Sequence, residues 1–344
     1  MAKERITRLR NLVWLMVSIY QSRSVHLSRI AAKIPGSATL PSLTRRLSRF
    51  LDNPAVRVRE WYEPIARGLL EFIANTVGEI RLIADGTKVG FGHQLLLIGV
   101  AFHRRAIPIA WTWVRSPKGH SSAYKQLAWL AYLRKLIPPG VPVLLVGDSE
   151  FGAVEVLRQL DAWGWNYALR QKTSHLVKLE GEKEWRTFGD FIKTPGQSLW
   201  LGRGWLTGRF AYPVNLLAHW AAGEEEPWLL ATNLPARQAT LKAYRRRMWI
   251  DEMFGDMKGH GFDPSGLSPQ GRSLESTHLR HFLRLSCLTL AVAILYLWLV
   301  SVGSCVIKNG QRHWVDRKDR RDLSIFQIGW RWIERRLVNS LKIR

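Results

Sequence analysis

The sequence predicts a mixed α/β protein in which helical segments flank a central sheet. Apolar residues recur at helical spacing before residue 75, whereas short apolar or alternating runs separated by turns begin near residue 80. The 344 residues are 47% hydrophobic, which is enough for a folded core. The length allows two or three domains.

Residues 1–75 are predicted to be a helical domain. Leu12, Leu15 and Ile19 follow helical spacing, and residues 1–60 hold 12 basic and 3 acidic side chains. A basic amphipathic segment near residue 47 carries three arginines that we expect to contact DNA: Arg45, Arg46 and Arg49. The alternative is a helical cap on the catalytic core.

Residues 76–303 are predicted to be the catalytic domain, with a β-rich insertion at about 175–235. Three strand-like runs suggest an antiparallel meander, and a helix, a strand, a second helix and another strand follow. The corresponding ranges are 81–84, 94–102, 106–114, 121–136, 141–146, 154–163 and 165–169. Acidic residues after the first and fourth strands make this order typical of an RNase H-like fold.

Two aspartates, Asp85 and Asp148, directly follow apolar strand-like runs. Together with a third carboxylate from a helix, they could hold two divalent ions that activate an attacking hydroxyl and stabilise the leaving oxygen of a phosphodiester. Oxygen ligands favour Mg²⁺ or Mn²⁺ over zinc. The sequence therefore predicts a site for two such ions.

A predicted helix supplies that third carboxylate. If the helix is straight, four polar residues share one stripe about 60° wide, at 100° per residue. They are Tyr244, Arg247, Asp251 and Lys258. We expect Arg247 and Lys258 to bind phosphate beside the ions held by Asp85, Asp148 and Asp251.

This pattern resembles the Tyr-(2)-Arg-(3)-Glu-(6)-Lys signature of DDE transposases of the insertion-sequence-four type, over about residues 80–285. The resemblance implies an RNase H-like catalytic core and cut-and-paste DNA transposition, with Asp85 and Asp148 as the first two acids. It also implies a homodimer on double-stranded DNA, acting on terminal inverted repeats and target DNA. In hairpin-forming relatives a tryptophan stacks on a flipped base, which suggests Trp228, although a core tryptophan is the usual explanation. Tyr244 would likewise be a DNA-contacting residue.

One position departs from this signature, because Asp251 stands where the family has glutamate and Glu252 follows it. Helix geometry favours Asp251, since Glu252 points 100° away from the stripe. Aspartate is shorter, however, and a small helix rotation could present Glu252 instead. A catalytically inactive or domesticated DNA-binding derivative remains an alternative, as does an RNase H-superfamily nuclease that cuts without joining.

The charge balance favours a nucleic-acid partner. The chain has 51 Lys and Arg against 27 Asp and Glu, a net charge of +24. Two cysteines, Cys287 and Cys305, make neither a disulfide framework nor a zinc site, which suits a reducing cytosol. We expect a cytoplasmic, nucleoid-associated protein of a prokaryote.

The carboxy-terminal part combines an apolar segment with a basic tail. Residues 285–302 carry no charge, which is long enough for a membrane span. Their polar residues and their closeness to the catalytic helix favour a buried core helix instead, so we expect no membrane partner. Residues 304–344 hold 11 basic and 4 acidic side chains and are predicted to form a basic helical tail.

Overall fold

In the computed structural model, helices come first and last along the chain and strands fill most of its middle. The structure describes residues 5–89, 93–115, 121–259 and 281–342. The structure divides into two units. The helical unit is drawn from Met1–Tyr62, Val89–Phe91 and Glu252–Arg344. The sheet unit is drawn from Glu63–Lys88 and Gly92–Asp251.

The helices of the described residues are, in chain order, α1 (Ile6–Ser22), α2 (Leu27–Ala31), α3 (Leu40–Leu51), α4 (Val58–Val77), α5 (Ala123–Arg134), α6 (Val154–Ala162), α7 (Arg237–Tyr244), α8 (Met248–Gly259), α9 (Phe282–Lys308) and α10 (Ile325–Val338). The strands are β1 (Ile80–Val89), β2 (His93–Phe102), β3 (Arg105–Arg115), β4 (Val143–Gly147), β5 (Asn166–Arg170), β6 (Leu176–Leu179), β7 (Arg186–Thr187), β8 (Ser198–Leu206), β9 (Tyr212–His219) and β10 (Trp228–Thr232). The mixed α/β class predicted from the sequence is confirmed.

The strands form one mixed sheet in the order β3-β2-β1-β4-β5-β10-β9-β8-β6-β7. Strands β2 and β3 pair antiparallel, whereas β4 runs parallel to both β1 and β5. Helix α6 connects β4 to β5, as the crossover of a parallel pair requires. The predicted succession of meander, helix, strand, helix and strand is therefore present, and the β-rich insertion expected at about 175–235 contains β6 to β10.

Strand β4 owes its position to its composition. Its five residues, Val143–Gly147, are all buried, and a run of Val and Leu covered on both faces is typical of a central parallel strand. Strand β2 is also buried over its first eight residues. The core of the sheet unit thus surrounds β4, the strand that directly precedes Asp148.

The helical unit is organised around α9, which contacts α1, α3 and α10. Helices α9 and α10 approach closely at two glycines. A Cβ added to Gly303 would lie 1.9 Å from the Ile325 carbonyl oxygen, and one added to Gly329 would lie 1.9 Å from that of Leu299. Only a residue without a side chain allows the backbones to meet at this distance.

Helix α9 is also the one helix in the described ranges that is long and apolar enough to cross a membrane. Most of its apolar stretch is buried, and Arg284 at its start pairs with Asp52 just after α3. That guanidinium lowers the pKa of the Asp52 carboxyl.

Helices α1 to α4 confirm the predicted helical amino-terminal segment, and α10 confirms a helix in the basic tail. Helix α9 belongs to the same unit as α1 to α3 and α10, whereas the sequence analysis placed residues 285–302 in the catalytic domain. The domain limits at residues 75 and 303 stay predictions.

Candidate active site

Asp85 and Asp148 lie side by side where the pairing of β1 with β4 ends. Asp85 lies within β1, which continues to Val89 and so extends beyond the strand predicted from the sequence, whereas Asp148 directly follows β4. The last paired residues of β1 and β4 are Ala84 and Gly147, so Asp85 and Asp148 each follow by one residue. The backbone of Asp148 is still extended, with φ −76° and ψ −174°. The spacing of paired strands therefore puts the two Cα atoms about 5 Å apart, with both side chains on the same face of the sheet.

Local hydrogen bonds hold each aspartate in place. One Asp85 oxygen accepts from the Gly86 amide at 2.8 Å, and this carboxylate is buried. One Asp148 oxygen accepts from the Glu150 amide at 3.0 Å and caps the short 3-10 helix Ser149–Phe151. Because a nearby backbone amide holds each carboxylate, the distance between the two is set by the pairing of β1 with β4.

The expected continuous helix beyond Tyr244 is interrupted, which corrects the stripe drawn from the sequence. Helix α7 ends at Tyr244, a 3-10 turn spans Arg245–Arg247, and α8 starts at Met248. A 3-10 helix advances about 120° per residue, so Tyr244 and Arg247 lie on the same side more closely than in an α-helix. Within α8 the separation of Asp251 and Lys258 follows α-helical geometry, but the Lys258 side chain lies outside the described residues.

Arg247 links the helix to the sheet edge. Its Nη2 lies 3.8 Å from Oδ2 of Asp85, and its Nη1 lies 3.3 Å from Oδ2 of Asp251. Burial acts to lower the pKa of Arg247, but Asp85, Tyr244, Asp251 and Asp148 together raise it above its ordinary value. Its Nε is buried and has no hydrogen-bond partner among the described residues. One guanidinium therefore lies between an acid of the sheet and an acid of the helix.

The third predicted acid, Asp251, is less buried than Asp85, with side-chain exposures of 43% and 4%. Its contact with Arg247 places it on the side of α8 that faces the sheet edge. Glu252 is exposed. Another acid of α8, Asp256, is buried and accepts a hydrogen bond at 2.8 Å from Ser324, the residue that caps α10.

Three neighbouring aromatic rings connect the insertion to Tyr244. The Trp228 ring at the start of β10 lies 5.1 Å from that of Tyr244, edge to face, and 5.4 Å from that of His219. Burial raises the pKa of Tyr244 and lowers that of His219. Trp228 is half-buried and Tyr244 is fully buried, so a role in binding DNA stays a prediction for both.

Asp85, Asp251 and Arg247 lie close together, but the described residues do not form a complete set of metal ligands. In the part of the chain that the structure describes, no group of three or more His, Cys, Asp or Glu side chains is placed to hold a metal ion. The donor chemistry nevertheless fits divalent cations, because Asp85 and Asp148 offer paired oxygen ligands. With the Arg247 guanidinium between Asp85 and Asp251, a metal-binding arrangement needs this side chain to move.

Two residues near the site were missed by the sequence analysis. Arg170 is the last residue of β5 and directly follows the strand predicted at 165–169, and its Nη2 donates to the Pro227 carbonyl at 2.9 Å beside Trp228. Its charge acts on Tyr244. Glu150 is a buried acid two residues beyond Asp148. The position of Arg170 after a strand was a usable signal, whereas nothing in the sequence marked Glu150 as buried.

The helical unit carries a separate basic feature. A polar cleft of about 680 Å³ lies between α1 and α3, and six of its lining residues are Arg5, Arg8, Asn11, Arg45, Arg46 and Arg49. Arg46 donates to Asn11 at 2.7 Å and so joins the two helices. Arg45 and Arg49 are exposed, and neither forms an ion pair within the described ranges. The three arginines predicted to contact DNA therefore share one cleft.

Among the comparisons with known proteins, only the one with solved structures found a similarity. No protein-family model matches the chain, and no curated protein matches it. Among solved structures, the chain is similar to one in a cryo-electron microscopy structure of a piggyBac transposase synaptic complex with hairpin DNA. The TM-score is 0.43 at 10% identity, over 98% of this chain and 76% of that one.

Proposed function

We propose that this chain is a DDE transposase of the insertion-sequence-four type, with an RNase H-like core that cleaves DNA at the ends of an insertion sequence and joins it to a target. The observation that carries this proposal is the register of β1 and β4, which puts Asp85 and Asp148 side by side. Adjacent carboxylates at a sheet edge are suited to phosphodiester chemistry with divalent ions.

In this proposal Asp85, Asp148 and Asp251 would hold two Mg²⁺ or Mn²⁺ ions. When bound, such ions activate the attacking hydroxyl and stabilise the leaving oxygen. The contact of Asp251 with Arg247, itself beside Asp85, supports Asp251 over Glu252.

Arg247 would exchange partners during the reaction. In the free protein its guanidinium neutralises Asp85 and Asp251. When DNA is bound, the guanidinium would instead contact a DNA phosphate, a ligand for which arginine is well suited. Its buried Nε offers a further donor for such a contact.

DNA is the partner that the charge distribution favours. The arginines of the α1–α3 cleft would contact the phosphate backbone of double-stranded DNA, with Trp228 and Lys258 as additional contacts nearer the cleavage site. A homodimer bridging two element ends in a prokaryotic cytoplasm completes the proposal. The packing of α9 on α1, α3 and α10 supports a core helix rather than a membrane span.

The test begins with the DNA that flanks the gene. A duplex carrying any inverted repeats found there should be cleaved by the purified chain in Mn²⁺, and the cleaved end should be joined to a plasmid target. Cleavage without joining would instead identify a nuclease, and binding without cleavage an inactive derivative. Absence of binding, cleavage and joining would overturn the proposal.

A further inference from the structure

Glu150 is a buried carboxylate beside the site to which the mechanism above gives no role. It is 6% exposed and lies in the 3-10 turn that follows Asp148. Gln94 Nε2 donates to one of its oxygens at 2.6 Å, and the Ser121 amide donates to the other at 2.9 Å. Within the described ranges no cation pairs with it. The donors that reach this carboxylate from the described residues are neutral, and a buried carboxylate without a paired cation is costly to keep.

The hydrogen bonds of Glu150 reach both catalytic aspartates through their neighbours. Its amide donates to Asp148, and its carbonyl oxygen accepts from Gln126 Nε2 at 2.8 Å. On the other side, a Cβ added to Gly86 would lie 2.7 Å from Glu150 Oε2 and 2.3 Å from Gln94 Nε2. The Gln94–Glu150 pair thus fills the space against the backbone that directly follows Asp85.

We propose that Glu150 is a positioning residue that sets the spacing of Asp85 and Asp148 and so tunes their affinity for divalent cations. The carboxylate connects the turn that carries Asp148 to Gln94 of β2 and to Ser121, and it packs against Gly86. Its negative charge also lies close to the two aspartates, where it favours the binding of a cation. This inference rests on the proposed function.

Glu150→Gln is the direct test, because it removes the charge with almost no change of shape. The amide oxygen can still accept from Ser121, and Gln94 can turn its own amide to accept from the new NH₂ group. We expect Mn²⁺ binding to the DNA-free full-length chain, measured by electron paramagnetic resonance, to weaken by about 10- to 100-fold. The Mn²⁺ concentration for half-maximal cleavage should rise in parallel, while the KM for DNA stays unchanged.

Two further variants separate positioning from folding. The exchange Gln94→Glu with Glu150→Gln keeps one carboxylate and one amide in contact and should recover most of the Mn²⁺ affinity. Glu155→Gln changes an exposed glutamate of α6 and should leave Mn²⁺ binding and cleavage unchanged. Thermal unfolding without metal shows whether each variant is folded.

The inference is overturned if folded Glu150→Gln binds Mn²⁺ as the wild type does, or if the exchange variant binds no better than the single variant. In either case wild-type cleavage leaves the proposed function intact. If Glu150→Gln fails to fold, the exchange variant decides alone. A wild-type chain that neither binds Mn²⁺ nor cleaves DNA overturns the proposed function together with this inference.

Discussion

The two units differ in how far their charged side chains are buried. At the edge of the sheet, Asp85, Glu150 and Arg247 are largely buried and held by hydrogen bonds or by opposite charges. In the cleft of the helical unit, Arg45 and Arg49 are exposed and free of ion pairs within the described residues. A charge that is fixed can position a reacting group, whereas an exposed charge is available to any polyanion. We therefore expect the proposed chemistry to take place at the sheet and most of the DNA affinity to come from the helical unit.

The largest effect should come from the paired aspartates. Asp85→Asn and Asp148→Asn each keep the shape of the side chain but remove a ligand, and we expect cleavage to fall by more than ~10⁴-fold, as for a member of a catalytic unit. Single-turnover cleavage of end DNA in Mn²⁺ measures this loss. Binding to the same DNA should stay within a few-fold, because affinity is assigned to the helical unit.

Asp190→Asn provides the matched control, since Asp190 is an exposed acid of the same unit that pairs with Lys193. It should cleave like the wild type. If the Asp85 and Asp148 variants lost binding and cleavage to the same extent, the two aspartates would have a structural role. That result would contradict the proposal that the sheet unit cleaves DNA while the helical unit binds it.

The placement of Asp85 beside Asp148 was largely predictable from the sequence, whereas the break in the helix after Tyr244 was not. Apolar runs that end in Asp85 and Asp148 are a local signal, and parallel pairing places them together. The 3-10 turn at Arg245–Arg247 depends on tertiary packing, so the assumption of one straight helix failed. The ion pair of Arg247 with Asp85 joins residues 162 positions apart in sequence (247 − 85) and could not be inferred from spacing.

The second-largest effect on cleavage should come from the third acid, and it distinguishes Asp251 from Glu252. Asp251→Asn should reduce metal-dependent cleavage by about 100-fold or more, and Glu252→Gln should be tolerated, because Asp251 faces Arg247 across one helical turn. Asp251→Glu should retain activity, since it restores the family residue at the same helical angle. The same single-turnover assay compares all three variants.

The reverse result, with Glu252→Gln inactive and Asp251→Asn active, would mean that α8 turns on its axis when DNA and metal bind. If neither substitution matters, the third carboxylate lies elsewhere. Asp256 is a poor substitute, because its carboxylate already accepts from Ser324.

A stability effect tests whether the helical unit depends on close helix contact. Gly303→Val should destabilise the protein by about 1–3 kcal/mol or more, because its Cβ would overlap the Ile325 carbonyl oxygen. Urea unfolding monitored by circular dichroism measures this change. Gly68→Ala is the control, since nothing lies within 4 Å of the added Cβ in α4, and it should be neutral or slightly stabilising. Equal stability of the two variants would contradict the α9–α10 contact.

The smallest effect concerns the cleft between α1 and α3. Arg45→Ala and Arg49→Ala should each weaken DNA binding modestly and reduce the slope of log affinity against log salt by about 0.9, the contribution of one phosphate contact. Arg46→Ala should change the slope less, because its guanidinium is already bound to Asn11. Arg57→Ala, which removes an arginine paired with Glu60, should leave the slope unchanged. Binding titrations between low and moderate salt with full-length protein measure all four slopes. An unchanged slope in the Arg45 and Arg49 variants would show that the cleft does not contact DNA and would return the amino-terminal helices to the role of a cap.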